Sequence, residues 1–204
     1  ALADDSYQTI SISYEETDTD FSSKINTVMN DEYNIVYLAS YRVDGAAIIK
    51  ELNTQGYIGS IYGGDGIAFG LYEQLEDNKI LLEGIQVTSP RESPSHGDFI
   101  ARHDQAVVEN NSLKSVQNYV MTTYDAVMIM GKAAVGNGDI DDNIKNVGNN
   151  YEGASGIINF LDNGDISGTG YDIITFTGDP DDNYDGINKS KFWTAENGIE
   201  LYKQ

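Results

Sequence analysis

Between Thr9 and Val87 the chain alternates three times between short β-prone runs and helix-spaced apolar residues, and this alternation narrows the possible folds more than any other feature. Thr9-Ile10-Ser11-Ile12-Ser13-Tyr14 has period two and predicts a strand. An acidic loop from Glu15 to Asp20 follows, and Asp20 or Thr19 can cap a helix over 21–30. Asn34-Ile35-Val36-Tyr37-Leu38-Ala39 is apolar nearly throughout, as a strand covered on both faces should be. Helical spacing over 44–53 turns Ala47, Ile48 and Leu52 inward, with Ile49 beside them, and Gly56 supplies the stop. The run 57–62 predicts the next strand and ends at Gly63-Gly64-Asp65-Gly66; a helix over 67–75 and a strand over 81–87 complete the series. The expected fold is therefore α/β: a three-layer, open, mostly parallel sheet with flanking helices. Ligands of such sheets sit beyond the carboxyl ends of the strands, here Tyr14, Ser40-Tyr41 and Gly64-Asp65.

The texture changes after Pro90 and Pro94, so a boundary is expected in 89–97 or shortly after. Helices are predicted over 99–108 and 116–135, the second with Val120, Met121, Tyr124, Val127, Met128 and Ala134 spaced by three and four and ended by Gly136 and Gly138. The last third is rich in turns. Gly156-Ile157-Ile158-Asn159-Phe160 and the run 171–176, joined through Asn163-Gly164, predict a hairpin or β-excursion. Between Lys145 and Lys189 stand eight acidic residues and no basic one.

Charge excludes several functions. The 204 residues carry 33 acids against 12 bases, a formal net charge of −21. No basic stripe exists to release phosphate counterions, which argues against a nucleic-acid partner and equally against docking on anionic membranes. Without cysteine there are no disulfides, thiolate chemistry or Cys-ligated metal centres. No run of apolar residues is long enough to span a bilayer. A chain that opens on Ala1 reads as processed, or as a piece excised from something longer.

Few motifs carry chemistry. Gly64-Asp65-Gly66-Ile67-Ala68-Phe69-Gly70 follows a strand and opens a predicted helix, so a dinucleotide loop is one reading. Its spacing departs from the usual fingerprint, and an aspartate in the throat would repel phosphate and draw a cation; a tight turn needing small residues is the plainer reading. Asp65 could cap the following helix or accept a ligand ammonium, with Tyr41 at the next strand end as an aromatic wall or hydroxyl donor. Asp181, Asn183 and Asp185, with Gly186, match the start of a calcium loop, but the twelfth position is Phe192 where a bidentate glutamate belongs. A weak calcium site and a solvated acidic loop are the two readings, and the second is the expectation. His96 and His103 lack metal-ligand spacing and are expected at the surface. Trp193 is expected to pack near the C-terminus. Adjacent acids such as Glu15-Glu16 and Asp141-Asp142 read as solvated, and no serine or threonine has a plausible base. The sequence proposes no catalytic residue and no cofactor.

Several short motifs, each weak alone, stand in one order. They are Thr19-Asp20-Phe21, 36–41, 44–50, Gly63-Gly64-Asp65-Gly66, Thr123-Tyr124-Asp125-Ala126-Val127, 151–156, Ile158-Asn159-Phe160 and Asn163-Gly164-Asp165. In that order, from about residue 9 to 178, the chain resembles the substrate-binding proteins of branched-chain amino-acid ABC importers. The resemblance implies a type I periplasmic-binding arrangement of two α/β lobes closing on a ligand. It also implies capture of an amino acid or related small polar molecule outside the cytoplasmic membrane, delivery to an ABC permease, and no enzymatic activity. It assigns the ligand ammonium to Asp65 and a pocket wall to Tyr41. The family's N-terminal half has no counterpart here, nor has the opening strand and helix of its second lobe. What remains should be a ligand-binding C-lobe-like domain over 1–115 and, over 116–204, a helix and β segment that packs largely on the other lobe. Surfaces meant for the absent half suggest a homodimer. A ligand-sensing receptor domain of the same fold is the alternative.

Overall fold

The computed structural model describes residues 8–91, 97–110, 119–167, 170–179, 181, 186–194 and 197–202. The chain forms two compact units, one of Ala1–Ser89, Ile173–Lys191 and Tyr202–Gln204, the other of Pro90–Asp172 and Phe192–Leu201. The first crossing falls inside the expected boundary stretch. The units differ from the expected division at 115/116 because the chain returns at Ile173 to complete the first unit's sheet.

In the first unit, α1 (Ser22–Asn30), β1 (Ile35–Leu38), α2 (Arg42–Thr54), β2 (Ser60–Gly63), a short α3 (Leu71–Leu75) and β3 (Gln86–Pro90) follow one another. β1 and β2 are parallel, Ile35 opposite Ser60 and Leu38 opposite Gly63, and β2 runs parallel to β3. Asp20 accepts the Ser22 N–H at 2.9 Å and its hydroxyl at 2.6 Å, but the N-cap position of α1 falls on Phe21, whose carbonyl accepts the Ile25 N–H, so the expected side-chain cap at Asp20 or Thr19 is not formed; the bonds from Ser22 hold the Asp20 carboxyl below its usual range. α2 buries Ala46, Ile48, Ile49 and Leu52 against Ile67, Leu71, Leu75, Val87, Ile174 and Phe176. At about 25 cal/mol per Å² of apolar area, this core is the main stabilising term of the unit.

Four further expectations in this half are corrected. Residues 9–14 join no ladder: the described sheet starts at β1, whose one partner is β2, and the alternating run does not add to the open edge of β1. β1 is covered on one face only; Leu38 is buried but Ile35 and Tyr37 are 60% and 63% exposed. The helix expected over 67–75 is broken, because Gly70 takes φ +82° between a 3-10 turn (Asp65–Ile67) and α3. The strand expected over 81–87 begins late: residues through Leu82 are 3-10 helical, and Gln86 opens β3.

The second unit holds α4 (Gly97–Glu109), α5 (Val120–Ala134), α6 (Ile140–Val147), β4 (Tyr151–Gly153) and β5 (Gly156–Ile158). α5 turns Met121, Asp125, Ile129 and Ala133 inward, whereas Val127, expected inside, is 57% exposed and Ala134 lies at the surface. The residues expected to open this helix at 116–118 lie outside the described residues. α6 escaped the pattern reading, although its signals are plain: Asp139 caps it by accepting the Asp141 N–H at 2.9 Å, acids fill its first turn and Lys145 its last. The expected hairpin is also rearranged. β5 pairs antiparallel with β4, and Asn163-Gly164 closes only a small Phe160–Ile166 bridge.

β6 (Tyr171–Phe176), β7 (Ile187–Thr194) and β8 (Gly198–Leu201) finish the chain, the last two without a strand signal in the sequence reading. Strand order in the large sheet is β1-β2-β3-β6-β7-β8. Bonds from Gly84 N–H to Phe176 O and from Arg91 N–H to Gly170 O run in opposite senses along β3 and β6, so β6 joins antiparallel to an otherwise parallel core. Trp193 is 39% exposed and lies 6.2 Å from the Tyr171 ring. No described helix is long and apolar enough to cross a membrane.

Candidate ligand-binding site

Two parallel neighbours in register bring their carboxyl ends together, and the first unit's polar residues collect there. Tyr41 stands three residues past Leu38, and Asp65 two past its partner Gly63. Tyr41 has extended backbone and precedes α2; Asp65 opens the 3-10 turn, its carbonyl accepting the Ala68 N–H at 3.1 Å. The turn is tight for a steric reason. A Cβ on Gly66 would lie 2.5 Å from the Ser40 carbonyl oxygen and 3.5 Å from Tyr41 Cδ1, so only glycine lets the turn lie against the end of β1. That contact places the Tyr41 ring beside the Asp65-Gly66 backbone. Both side chains are open to solvent, Tyr41 at 73%.

Tyr14 ends no strand, contrary to expectation, but its side chain lies beside Ser40 and Asp44 at this end of the sheet. Its ring meets Phe21 edge-on at 5.4 Å, and burial, then the charge of Asp44, push its phenol pKa up. At this end of the sheet stand a carboxylate and a phenol on exposed arms, backed by the half-buried Tyr14. Such a set can accept an ammonium and cover an apolar side chain. The phosphate reading of the glycine loop loses its helix: α3 has five residues and starts after Gly70. Position 64, a glycine, caps the 3-10 turn without a side chain, so capping by Asp65 is not the arrangement found.

Other sequence candidates lie apart from this cluster. Asp181 is exposed, with its N–H on Asp179 at 2.9 Å; Asn183 and Asp185 lie outside the described residues. No group of three potential metal ligands occurs among the described residues. His96 lies outside them too. His103 is not the surface histidine expected, since its side chain is 17% exposed and its ring lies 6.0 Å from Phe99.

Sequence reasoning missed Asp125, which is wholly buried in the second unit. Its carboxylate accepts the Ala154 N–H at 2.6 Å, the Ser155 N–H at 2.8 Å and the Ser155 hydroxyl at 2.7 Å, locking the turn between β4 and β5 onto α5. The signal was present as an acid four residues after Met121 and four before Ile129, on the inward face. A cleft of about 140 Å³ beside it is lined by Phe99, Arg102, Tyr124, Tyr151 and Glu152. Asp125 spends its oxygens on the turn and is a structural group.

Comparisons agree with this architecture. No curated protein matches the chain in sequence. A leucine-binding protein, LivK, from Thermotoga maritima superposes with a TM-score of 0.66 at 23% identity, over 89% of this chain and 49% of its own. The branched-chain amino-acid substrate-binding protein LivJ from Streptococcus pneumoniae, solved with isoleucine, gives 0.63 at 18%, over 94% of this chain and 51% of its own. A type 1 periplasmic binding protein from Bordetella pertussis gives 0.65 at 12%, over 94% and 51%. The chain thus spans about half the length of these structures, and the resemblance drawn from its motifs holds as a shared type I periplasmic-binding fold. The model of the receptor family ligand-binding region matches residues 4–179, and the chain belongs to that family.

Proposed function

We propose that this chain is part of an extracytoplasmic solute-binding component of an ABC importer, which captures an amino acid or related small polar molecule by lobe closure and hands it to a permease. The observation that carries the reading is the placement of Asp65 beside Tyr41 at the ends of two adjacent parallel strands, in a chain of a ligand-binding family. Asp65 takes the ligand ammonium and Tyr41 walls its side chain. The action is binding, with no catalytic residue or cofactor. Affinity in such a device comes from both walls of the cleft, so this chain alone binds weakly. The isoleucine held by the pneumococcal protein favours an amino acid.

Calorimetry against an amino-acid panel tests the reading, using a protein that carries both lobes. Replacing Asp65 by alanine should cost about 2–5 kcal/mol of binding, the scale for removing one partner of a buried charge pair. An unchanged affinity would remove Asp65 from the site. A sensing role is the second reading, favoured by an extracellular ligand-binding receptor from Desulfohalobium retbaense that matches 90% of this chain over 29% of its own, with a TM-score of 0.60. Solute uptake by vesicles carrying the permease separates the two. The exposed Ile35 and Tyr37 on the edge strand β1, with Tyr62 on β2 and Ile58 just before it, support association of two copies, which sedimentation equilibrium tests; a monomer at all concentrations would reject it.

A further inference from the structure

Three of the strands that carry the chain between its units hold a shared cluster just inside the second unit. Arg91 directly follows β3, Asp172 lies in β6 and Phe192 in β7. The first residue of the second unit is Pro90, its last before the return is Asp172, and it resumes at Phe192, so each member stands within two residues of a crossing. The Arg91 N–H donates to the Gly170 carbonyl at 2.9 Å, which ties the end of β3 to the start of β6 through the main chain. The Arg91 side chain reaches the third strand: its guanidinium carbon lies 3.9 Å from the Phe192 ring centroid. Its Nε lies 4.0 Å from an Asp172 carboxylate oxygen.

Burial makes this arrangement hard to undo. Asp172 is 6% exposed, so withdrawing the guanidinium would take a cation away from a carboxylate largely shielded from water. Arginine suits the position because one planar group presents a face to the ring and an edge to the carboxylate; lysine keeps the charge and loses the face.

We infer that Arg91 is a positioning residue that fastens the three crossing strands to one another, so that they bend as one pivot and not as three independent threads. Its purpose rests on the lobe closure proposed above; its test does not. The chain has no cysteine, so Asn53→Cys on α2 and Ala134→Cys on α5, both exposed, supply a single spin-label pair spanning the two units. Pulsed electron–electron resonance then reads the spread of their separation without any ligand. Arg91→Gln should broaden the distribution at a temperature where circular dichroism stays at the parent value, with a lowered melting temperature because the buried Asp172 loses its cation; Arg91→Lys should fall between, and Phe192→Leu should broaden it too. A distribution as narrow as the parent's in Arg91→Gln, or a lowered melting temperature without broadening, overturns the inference. If Arg91→Gln does not fold, Arg91→Lys and Phe192→Leu decide it, and parent-like widths in both overturn it. Because no amino acid is added, a failure of solute capture and a failure of the clamp are read separately.

Discussion

Replacing Asp125 by alanine tests how much of the second unit hangs on one carboxylate. The native group is wholly buried and accepts two backbone N–H groups and a hydroxyl, at 2.6, 2.8 and 2.7 Å. Alanine strands both main-chain donors on residues that are themselves buried, Ala154 at 4% and Ser155 at 8% exposure. At about 1–3 kcal/mol for each unsatisfied buried donor the loss is about 2–6 kcal/mol, and the freed hydroxyl can rotate to another partner. The adjoining cleft admits water to part of the space, which puts the expectation near 3–4 kcal/mol. Asparagine retains one acceptor oxygen but turns an NH₂ toward donors, for a loss of about 1–2 kcal/mol. Urea unfolding followed by circular dichroism reads this directly: with a slope near 2 kcal/mol/M, the alanine variant should unfold at a midpoint lower by about 1.5–2 M. Amide exchange at Ala154 and Ser155 supplies the local readout and should quicken first. A variant within about 0.5 kcal/mol of the parent would show that the carboxylate does not hold the turn, and the reading would fail.

Gly66→Ala should lower stability by about 1–3 kcal/mol, since its Cβ would press on the Ser40 carbonyl at 2.5 Å, a backbone atom that cannot swing away; an unchanged urea midpoint would refute the steric reading of the turn. Burial, joined at Tyr14 by the charge of Asp44, raises the phenol pKa of Tyr14 and Tyr57 above 10.0. The folded state therefore holds these protons more tightly than the unfolded one, so this stability is whole below pH 10.0 and is lost as pH rises through the folded pKa values. Ultraviolet titration should find late-ionising phenols, one of which is lost in Tyr14→Phe and another in Tyr57→Phe; uniform titration would contradict the burial argument. With a net charge of −21 the folded chain repels itself, and salt at about 0.1 M, where the screening length is near 10 Å, should raise its melting temperature. A melting temperature indifferent to salt would mean that the charge is already neutralised locally.

The legible parts of the fold are those in which neighbours in sequence are neighbours in space. α2 announced itself through Ala47, Ile48 and Leu52 at helical spacing and the stop at Gly56, and β1 through a β-branched and aromatic run. The strand ends that carry Tyr41 and Asp65 followed, because parallel strands joined by helices point their carboxyl ends the same way. Capping chemistry at Asp139 was equally local and was available to be read.

The failures share one cause, which is that pairing and burial belong to partners distant along the chain. Thr9 to Tyr14 has the period of a strand, yet period alone forms no ladder, which needs hydrogen bonds to a partner strand. β5 found β4 in place of the run at 171–176, which instead crosses back to pair with β3 some eighty residues earlier. Composition cannot show that an aspartate on an apolar helix face has three donors waiting at Ala154 and Ser155, nor that Arg91, Asp172 and Phe192 meet. The sequence by itself determined the α/β class, the acidic surface and the sheet end that holds the polar cluster, because local periodicity and charge settle these. Only the tertiary structure decided which strands pair, where the chain divides and which charges are buried, because those depend on long-range contacts whose geometry no short window contains.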